Sequence, residues 1–283
     1  MKVIGFGDNV VDRYVNKKVM FPGGNAVNFA VYAKKSGVNA AYLGNLADDA
    51  EADFIVSALN SFDIDLTGCH KVFGSVTERC DVNIVDGDRV FIGDDVRENI
   101  PAGFILSQKD VTYLNSFDLV HSGCYARVAD EIKKLSDISS IVTYDFSVED
   151  EFKEDKYLKK ICPYIDMALF SCEGMSTEEI IQLQKKVYTL GTKYVLTTKG
   201  VEGQTLYDGI NFYTGVVKLV EAVDTMGAGD SFFASFVMAL LKQGWKKNGV
   251  LSEEMIKNAF ETAAQFSADN CLTEGAFGYS MGI

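Results

Sequence analysis

The sequence predicts an α/β fold: one doubly wound domain with a mostly parallel central sheet, to which a small β-sheet is attached. Three observations lead to this prediction. Short apolar runs alternate with amphipathic helical stretches along most of the chain, and one segment alternates polar and apolar residues instead. The length of 283 residues and the 47% hydrophobic composition suffice for one large domain with an appendage or for two modest domains. With no internal repeat or proline-rich linker in the sequence, the single large domain is the simpler interpretation.

The N-terminal part predicts a βαβ unit. The apolar run "KVIGFG" is typical of a buried parallel strand. A helix is predicted over "NAVNFAVYAKKSG", where the apolar residues have helical spacing and Gly37 marks the end. "NAAYLGNLADD" then returns as a strand. Polar residues after the first strand are expected where ligands of such folds usually bind.

A small separate sheet is predicted where the rhythm changes. "TERCDVNIVDGDRVFIG" alternates polar and apolar residues and breaks at "DGD", which indicates a β-hairpin. "RYVNKKVM" is predicted to be a further strand of this sheet. We assign residues 13–24 and 66–100 to the small sheet, and residues 1–12, 25–65 and 101–283 to the main domain.

The α/β alternation resumes after residue 101. Strands are predicted over "DLVHSG", "IVTYDF", "DMALFS" and "KYVLTTKG", separated by amphipathic stretches such as "EEIIQLQKKVYTLG". "QTLYDGINFY" indicates another hairpin. The chain then enters two last helices, the first of which follows "DTMGAGD".

Composition excludes several classes of protein. The chain has 27 basic and 40 acidic residues, a formal net charge of -13 and no Lys/Arg stripe, so a nucleic-acid partner is not expected. No apolar run approaches the ~20 residues of a membrane span, so a cytoplasmic protein with no membrane partner is expected. Six scattered cysteines and two histidines form no zinc-site spacing, and we interpret the cysteines as thiols that pack.

The stretch "GAGD" combines an anion hole with an acid. Gly227 and Gly229 permit backbone conformations in which the N–H groups of residues 227–229, Ala228 included, converge at the start of a helix. Asp230 follows directly. It is either the base that accepts a proton from an attacking hydroxyl, or an ordinary first-turn acid of the helix.

Two upstream stretches offer polar groups for a polyol. In "FPGGNAVN", Gly23 and Gly24 allow close backbone approach, and Asn25 and Asn28 lie three residues apart at a helix start, where they either bind a ligand or cap the helix. After the first strand, the carboxylates and amide of Asp8, Asn9 and Asp12 suit sugar hydroxyls. A metal pair or plain turn chemistry would fit them almost as well.

Taken together and in this order, these motifs resemble those of the ribokinase-like (PfkB) carbohydrate kinases over essentially the whole chain. "GDNVVD", "PGGNAVNFA" and "DTMGAGDSF" carry the resemblance. Within the family, "GDNVVDRY", "GGNAVNFAVY", "DGDRVF" and the late "EGA" are most similar to fructosamine kinases such as fructoselysine 6-kinase. The resemblance implies a three-layer α/β/α sandwich with a β-sheet lid, and an ATP-dependent phosphotransferase acting on an alcohol group.

The resemblance also assigns roles to residues. It implies that Asp230 is the catalytic base, that residues 227–229 form the anion hole, and that the sugar is bound by Asp12, Gly23, Gly24 and Asn28. It implies a nucleotide site at the residues of "TTKGVEG" and the late "EGA", namely Thr198, Lys199, Gly200, Gly203 and Gly275. For Lys199, a surface lysine with no phosphate partner is the equal alternative. A homodimer through the lid is a further expectation.

The metal site departs from the family pattern. Many members have N-x-x-E after the strand that corresponds to "DMALF", whereas this chain has "SCEG", with Ser171 and Gly174 at those positions. The metal ligands are therefore unknown, and no metal role is assigned to Glu173. Mg²⁺ is still expected with ATP, and a monovalent cation such as K⁺ is a further candidate cofactor.

The substrate is expected to be a fructosamine, whose amine calls for more carboxylate than a neutral sugar needs. Asp94, Asp95 and Glu98 in "GDDVREN" are candidates for contacts with the amine, although a solvated acidic loop explains them as well. His121 either contacts the substrate or is a structural residue. The alternatives are a kinase for fructose, tagatose, ribose or a nucleoside, a sugar-binding regulator without activity, and an oxidoreductase, for which "GFGDNV" lacks the third glycine.

Overall fold

The computed structural model describes residues 1–85, 88–95 and 97–283; the side chains of residues 88, 89, 94 and 95 are not described. Its strands are β1 (Lys2–Phe6), β2 (Val10–Tyr14), β3 (Val19–Gly23), β4 (Asn39–Leu43), β5 (Asn45–Leu46), β6 (His70–Lys71), β7 (Glu78–Val85), β8 (Asp88–Asp95), β9 (Leu119–Gly123), β10 (Ile141–Asp145), β11 (Met167–Ser171), β12 (Tyr194–Thr198), β13 (Gln204–Tyr207), β14 (Phe212–Gly215) and β15 (Met281–Gly282). Its helices are α1 (Asn25–Lys35), α2 (Ala50–Ser61), α3 (Gln108–Leu114), α4 (Asp155–Ile161), α5 (Thr177–Thr189), α6 (Ala228–Lys242) and α7 (Glu253–Asn270). Short 3₁₀ turns lie at Cys124–Ala126, Ile132–Leu135, Asp150–Lys153, Cys162–Tyr164 and Gly200–Glu202.

The main sheet has the order β14-β13-β12-β11-β10-β9-β1-β4. The strands from β12 to β4 are parallel to one another, and β13 and β14 form an antiparallel hairpin at the edge. The chain runs from β1 to β4 on one side and later returns to β9 on the other. This reversal of strand order at β1 creates the crevice at the carboxyl edge in which α/β proteins bind ligands.

Helices cover both faces of this sheet. Neighbouring residues of β1 point to opposite sides, so that Val3 packs in the core with α1, α6 and α7, and Ile4 packs in the core with α4 and α5. Both cores are apolar and fully enclosed, which explains why the parallel strands are short continuous apolar runs. The predicted three-layer α/β/α sandwich with a mostly parallel sheet is confirmed.

The second sheet has the order β15-β3-β2-β7-β8. The predicted hairpin is present as β7 and β8. The prediction of one strand over "RYVNKKVM" is wrong, because the chain turns within it: β2 ends at Tyr14, Lys18 has a left-handed φ of 55°, and β3 begins at Val19. The second sheet begins at Val10 and includes β15 near residue 283. The division into a lid of residues 13–24 and 66–100 and a main domain stays a prediction.

Candidate active site

A cavity of about 950 Å³ opens at the carboxyl edge of the main sheet, between that edge and the second sheet. Its described lining contains many of the residues that the sequence singled out: Asp8, Asn9, Asp12, Gly24, Asn25, Asn28, Gly227, Gly229 and Asp230. The other predicted site residues with described side chains lie outside this lining: Gly23, Thr198, Lys199, Gly200, Gly203, Ala228 and Gly275. The folded chain thus brings three separate motifs to one cavity.

Asp230 lies in the first turn of α6, where two asparagine side chains of α1 hold its carboxylate. Nδ2 of Asn25 donates to Oδ1 at 2.9 Å, and Nδ2 of Asn28 donates to Oδ2 at 2.7 Å. The i,i+3 spacing predicted from the sequence places both amides on the same face of α1, as expected. These two amide donors fix the orientation of the carboxylate, as a positioned proton acceptor requires.

Asn28 has a further unused polar atom. The residue is 4% exposed, and its Oδ1 is buried without a hydrogen-bond partner among the described atoms. Buried acceptors without partners are uncommon in folded proteins. A hydroxyl of a bound sugar is a natural donor for this oxygen, because the residue lines the cavity.

The start of α6 depends on glycine. Gly227 has a left-handed φ of 71°, and a Cβ there would collide with the hydroxyl of Tyr32. At Gly229 a Cβ would meet nothing within 4 Å, so the space in front of this turn is open. The N–H of Ala228 donates to the carbonyl oxygen of Thr225 at 3.1 Å, so an incoming phosphoryl group would compete with that bond.

Asp224, the first residue of "DTMGAGD", anchors the loop that leads into α6. It is fully buried, and its carboxylate accepts from the hydroxyl of Tyr14 at 2.6 Å, from the N–H of Met226 at 2.9 Å and from the N–H of Gly275 at 2.8 Å. Gly275 has a φ of 65° and lies against the ring of Phe21, where a Cβ would collide. The loop is therefore tied both to the second sheet and to the chain end.

Asp8 caps α1. Its carboxylate accepts from the N–H of Asn25 at 2.7 Å and from the N–H of Ala26 at 3.3 Å. Burial nevertheless raises its pKa from 3.8 to about 6, with a smaller contribution from the charge of Asp230. Gly24, with a φ of 106°, makes room here because a Cβ would crowd Asp8 and Asn9.

Asp12 lies within β2, and not in the loop after the first strand where the sequence suggested it. It is 5% exposed. Gly23 is close to it on β3, where a Cβ would collide with the carboxylate of Asp12. The paired glycines thus serve two different purposes: Gly23 accommodates an acid of the second sheet, and Gly24 accommodates the start of α1.

Asp145, at the end of β10, was not identified from the sequence. Its Oδ2 accepts from Nδ2 of Asn25 at 2.7 Å, so one amide group bridges it to Asp230. Burial raises its pKa from 3.8 to about 7, and the charge of Asp230 acts in the same direction. One feature of the sequence could have identified Asp145: it is an acid at the end of a predicted parallel strand, where ligands of such folds bind.

His121 is a structural residue that orients Asn25. It is 1% exposed and stacks on Phe29, with ring centroids 4.2 Å apart. Its Nδ1 lies 3.0 Å from Oγ1 of Thr143, and its Nε2 lies 2.8 Å from Oδ1 of Asn25. Burial lowers its pKa to about 3, so the ring is neutral and its Nε2–H donates to Asn25, whose Nδ2 then faces the carboxylates.

The residues of "TTKGVEG" lie at the end of β12. Nζ of Lys199 pairs with Glu202 at 2.7 Å, while its N–H donates to the carbonyl of Gly203 at 2.9 Å. Gly200 and Gly203 have positive φ values of 51° and 105°, a backbone conformation that glycine adopts more easily than other residues. Glu173 of "SCEG" approaches this turn, since a Cβ at Gly200 would lie 3.4 Å from its Oε1.

Within the part of the chain that the structure describes, no group of three His, Cys, Asp or Glu side chains is placed to hold a metal ion.

The side chains of Asp94 and Asp95 lie outside the described residues, so the structure does not place their contacts. Glu98 is exposed and is absent from the described lining of the cavity. Among the helices of residues 1–85, 88–95 and 97–283, none is long and apolar enough to cross a membrane.

Comparisons with known proteins agree with this geometry. Residues 1–276 match the pfkB family carbohydrate kinases. The chain is 32% identical to fructosamine kinase FrlD of Bacillus subtilis (strain 168), over 99% of this chain and 94% of that protein, and 32% identical to fructoselysine 6-kinase of Escherichia coli (strain K12), over 87% and 90%. Its fold matches fructokinase with bound ATP from Xylella fastidiosa with a TM-score of 0.80 at 16% identity, covering 98% and 94% of the two chains.

The three-layer sandwich, the carboxylate beside a glycine-rich helix start and the family match together identify a sugar phosphotransferase of the ribokinase-like fold. The chain belongs to the PfkB family of carbohydrate kinases, as its motifs indicated. Its similarity to fructosamine and fructoselysine kinases extends over most of its length.

Proposed function

We propose that this kinase transfers the γ-phosphoryl group of ATP to a primary hydroxyl of a fructosamine, converting fructoselysine to fructoselysine 6-phosphate. The observation that carries the proposal is the charge of the cavity. The acidic and basic residues in its described lining are six acids and one arginine: Asp8, Asp12, Glu78, Asp145, Glu149, Asp230 and Arg127. Glu78 pairs with Arg127 at 2.6 Å, and burial raises the pKa of Asp145 to about 7, so the excess of negative charge near neutral pH comes mainly from the other acids. A neutral ketose does not require such an excess, whereas the protonated amine of a fructosamine is stabilised by it.

Asp230 is the proposed catalytic base. It accepts the proton of the attacking hydroxyl while the phosphoryl group passes to that oxygen, a reaction that depends on positioning and charge stabilisation. Asn25 and Asn28 hold the carboxylate at 2.9 and 2.7 Å, so its orientation is set before the sugar binds. A binding-only regulator would have no need of a base held in this way.

The start of α6 is the proposed anion hole. Gly227, Ala228 and Gly229 lie at the positive end of a buried helix, and the open space at Gly229 admits a phosphate there. The N–H of Ala228 would join this site by exchanging its bond to Thr225 for one to the phosphate. Mg²⁺ would arrive with the phosphates of ATP and neutralise their charge, and K⁺ stays a further candidate. The nucleotide itself is assigned to the turn after β12, with Thr198, Lys199, Gly200 and Gly203, and to Gly275.

The sugar is assigned to the opposite side of the base. Asp8 and Asp12 present carboxylates, and Asn28 presents its buried Oδ1, so that sugar hydroxyls find acceptors on this side. Asn25, whose amide group contacts Asp145, Asp230 and His121, holds these partners in place. The paired glycines leave room for these groups, because a Cβ at Gly23 would collide with Asp12 and one at Gly24 would crowd Asp8.

The second sheet is the proposed lid. Its strand β8 contributes Phe91, Ile92 and Gly93 to the cavity lining, opposite the carboxyl edge of the main sheet. Covering the sugar with apolar side chains excludes water, which would otherwise compete with the sugar hydroxyl as acceptor. Pairing of two lids in a homodimer stays a prediction.

A substrate panel tests the proposal. The purified protein is incubated with ATP and Mg²⁺, and ADP release is followed with fructoselysine, fructose, tagatose, ribose and a nucleoside. We expect kcat/KM to be highest for fructoselysine, with phosphate on O6 by NMR of the product. Turnover of fructose or ribose far above fructoselysine would overturn the proposed substrate and leave the sugar kinase intact.

A further inference from the structure

One wall of the cavity lies beyond the base and is formed by the segments that follow β9 and β10. These strands are adjacent and parallel, so the residues after both emerge at the same edge. Three of these residues are joined by hydrogen bonds: the hydroxyl of Tyr125 lies 2.8 Å from Oγ of Ser147 and donates to Oε1 of Glu149 at 2.5 Å. We call Tyr125, Ser147 and Glu149 the rim cluster; all three line the cavity.

Glu149 carries an unused carboxylate oxygen. Its Oε2 is buried and has no hydrogen-bond partner among the described groups. The cation of the same segment is used elsewhere, because Nζ of Lys153 donates to the carbonyl of Val148 and lies 3.4 Å from Asp150. A buried carboxylate oxygen without a donor is costly, so its retention on a cavity wall points to a ligand that supplies the donor.

The rim cluster is connected to the catalytic base along this wall. Nδ2 of Asn25 contacts both Asp230 and Asp145, and Oδ1 of Asp145 accepts from the N–H of Ser147 at 2.8 Å. The reacting hydroxyl and the amine of a fructosamine are at opposite ends of the sugar. Two separate sites on one wall, one at the base and one at the rim cluster, match these two ends.

The surroundings of the rim cluster suit a carbon chain attached to the amine. Phe152 packs edge-on against Tyr125 with ring centroids 5.9 Å apart, and both rings face the cavity together with Val148. Aromatic faces bind alkyl chains and also attract cations. The site therefore combines a negative oxygen with an apolar surface, as a glycated amine on an alkyl chain requires.

We propose that the rim cluster is the site that recognises the substrate's ammonium group, with Oε2 of Glu149 as the acceptor of its N–H and with Tyr125 and Phe152 against the attached carbon chain. The inference rests on the proposed function and extends it, since it names the residue that separates an aminated ketose from a neutral one. Glu149 binds the substrate and takes no part in proton transfer.

Two substrates that differ only in the group at one carbon test this site: the fructosamine made from butylamine, and the neutral butyl ether of fructose at the same carbon, which has neither the charge nor the N–H donors of the amine. The variant Glu149→Gln keeps the size and the acceptor for Tyr125 but removes the charge. We expect kcat/KM for the fructosamine to fall about 10- to 100-fold, as for loss of a charge-assisted hydrogen bond, and kcat/KM for the ether to stay within about twofold. Glu151→Gln, which removes the same charge from an exposed neighbour, is the matched control and leaves both values unchanged.

The possible results distinguish the two proposals. If wild type prefers the fructosamine and Glu149→Gln keeps that preference, the rim cluster is not the ammonium site, while the proposed function stands. If wild type phosphorylates the ether or fructose and not the fructosamine, the proposed function fails and the ammonium site fails with it. Tyr125→Phe gives a second measurement should Glu149→Gln melt early: releasing the carboxylate from its donor is expected to lower the preference for the amine by about two- to fivefold.

Discussion

The transfer centre around Asp230 and the rim cluster around Glu149 lie on the same cavity wall, but the hydrogen bonds to their carboxylates differ. Both oxygens of Asp230 accept hydrogen bonds from amides of α1, and His121 orients one of these amides, that of Asn25. Glu149 has one oxygen bound by Tyr125, and its other oxygen is buried with no partner among the described groups. The difference indicates that the carboxylate of the base is oriented before the sugar arrives, whereas the carboxylate of the rim cluster is completed by the substrate.

This difference separates catalysis from selection. Phosphoryl transfer to any sugar hydroxyl needs the same base and the same anion hole, so these parts are built into helix starts that the core holds rigid. Discrimination between sugars depends on groups that only one substrate satisfies, because a buried polar atom left without a partner penalises the wrong ligand. Changes in the two regions should therefore have different kinetic consequences.

The largest effect is expected from Asp230→Asn. An amide cannot accept the proton, so kcat should fall by about 10³-fold or more for charged and neutral sugars alike. ADP release with fructosamine and fructose measures this, with the melting temperature as the control for folding. Unchanged phosphoryl transfer in this variant would show that Asp230 is not the base.

A smaller effect is expected from Asn28→Ala. This change removes one of the two amides that hold Asp230 and also the buried acceptor Oδ1, so kcat/KM should fall about 10- to 100-fold for every sugar. The matched control is Asn60→Ala at an exposed position of α2. A loss confined to the aminated substrate would contradict the division between the two regions.

The smallest effect concerns the pH dependence of stability. The folded pKa of Asp145 is raised to about 7, so the contribution of this group to stability is fully present below about pH 3.8 and is lost as pH rises through 7. His121, with its pKa lowered to about 3, acts in the opposite direction but only below about pH 6.5. From pH 6.5 to 8 the substrate-free protein should therefore lose about 1 kcal/mol of stability, or roughly 2–4 °C in Tm.

Calorimetric scans between pH 6.5 and 8 measure this loss, and Asp145→Asn serves as the comparison because it cannot ionise. We expect the variant's Tm to be nearly constant over this range. A wild-type Tm that rises with pH would mean that Asp145 is ionised more easily in the folded protein than in the unfolded chain, contrary to its burial beside Asp230.

The parts of the site that lie within one helix could be predicted from the sequence. Asn25 and Asn28 share a face of α1 because of their spacing, and Asp230 follows a glycine-rich helix start, so both motifs were visible as local patterns. That these motifs, about 200 positions apart, serve one site was inferred only when they were taken together as the motifs of a kinase family, and the hydrogen bonds between them were not predicted. The structure supplies these bonds directly through the packing of α1 against α6.

The residues that were missed depend on tertiary contacts. Asp145 ended a correctly predicted strand, but only the order of β1, β9 and β10 shows that it meets Asn25. Glu149 lies in a short irregular turn with no periodic pattern. The chain end at β15 and the turn inside "RYVNKKVM" were missed for the same reason, since a two-residue strand and a tight turn leave little trace in the sequence.

The most direct test of the separation between catalysis and selection is a calorimetric titration of Asp230→Asn with the butylamine-derived fructosamine and with the neutral butyl ether. The separation predicts that the variant, although inactive, binds the fructosamine more tightly than the ether. The ratio of the two dissociation constants should agree with that of wild type to within about threefold. Equal affinity for the two ligands in this variant would contradict it, because the charge of the base, and not the rim cluster, would then be what selects the amine.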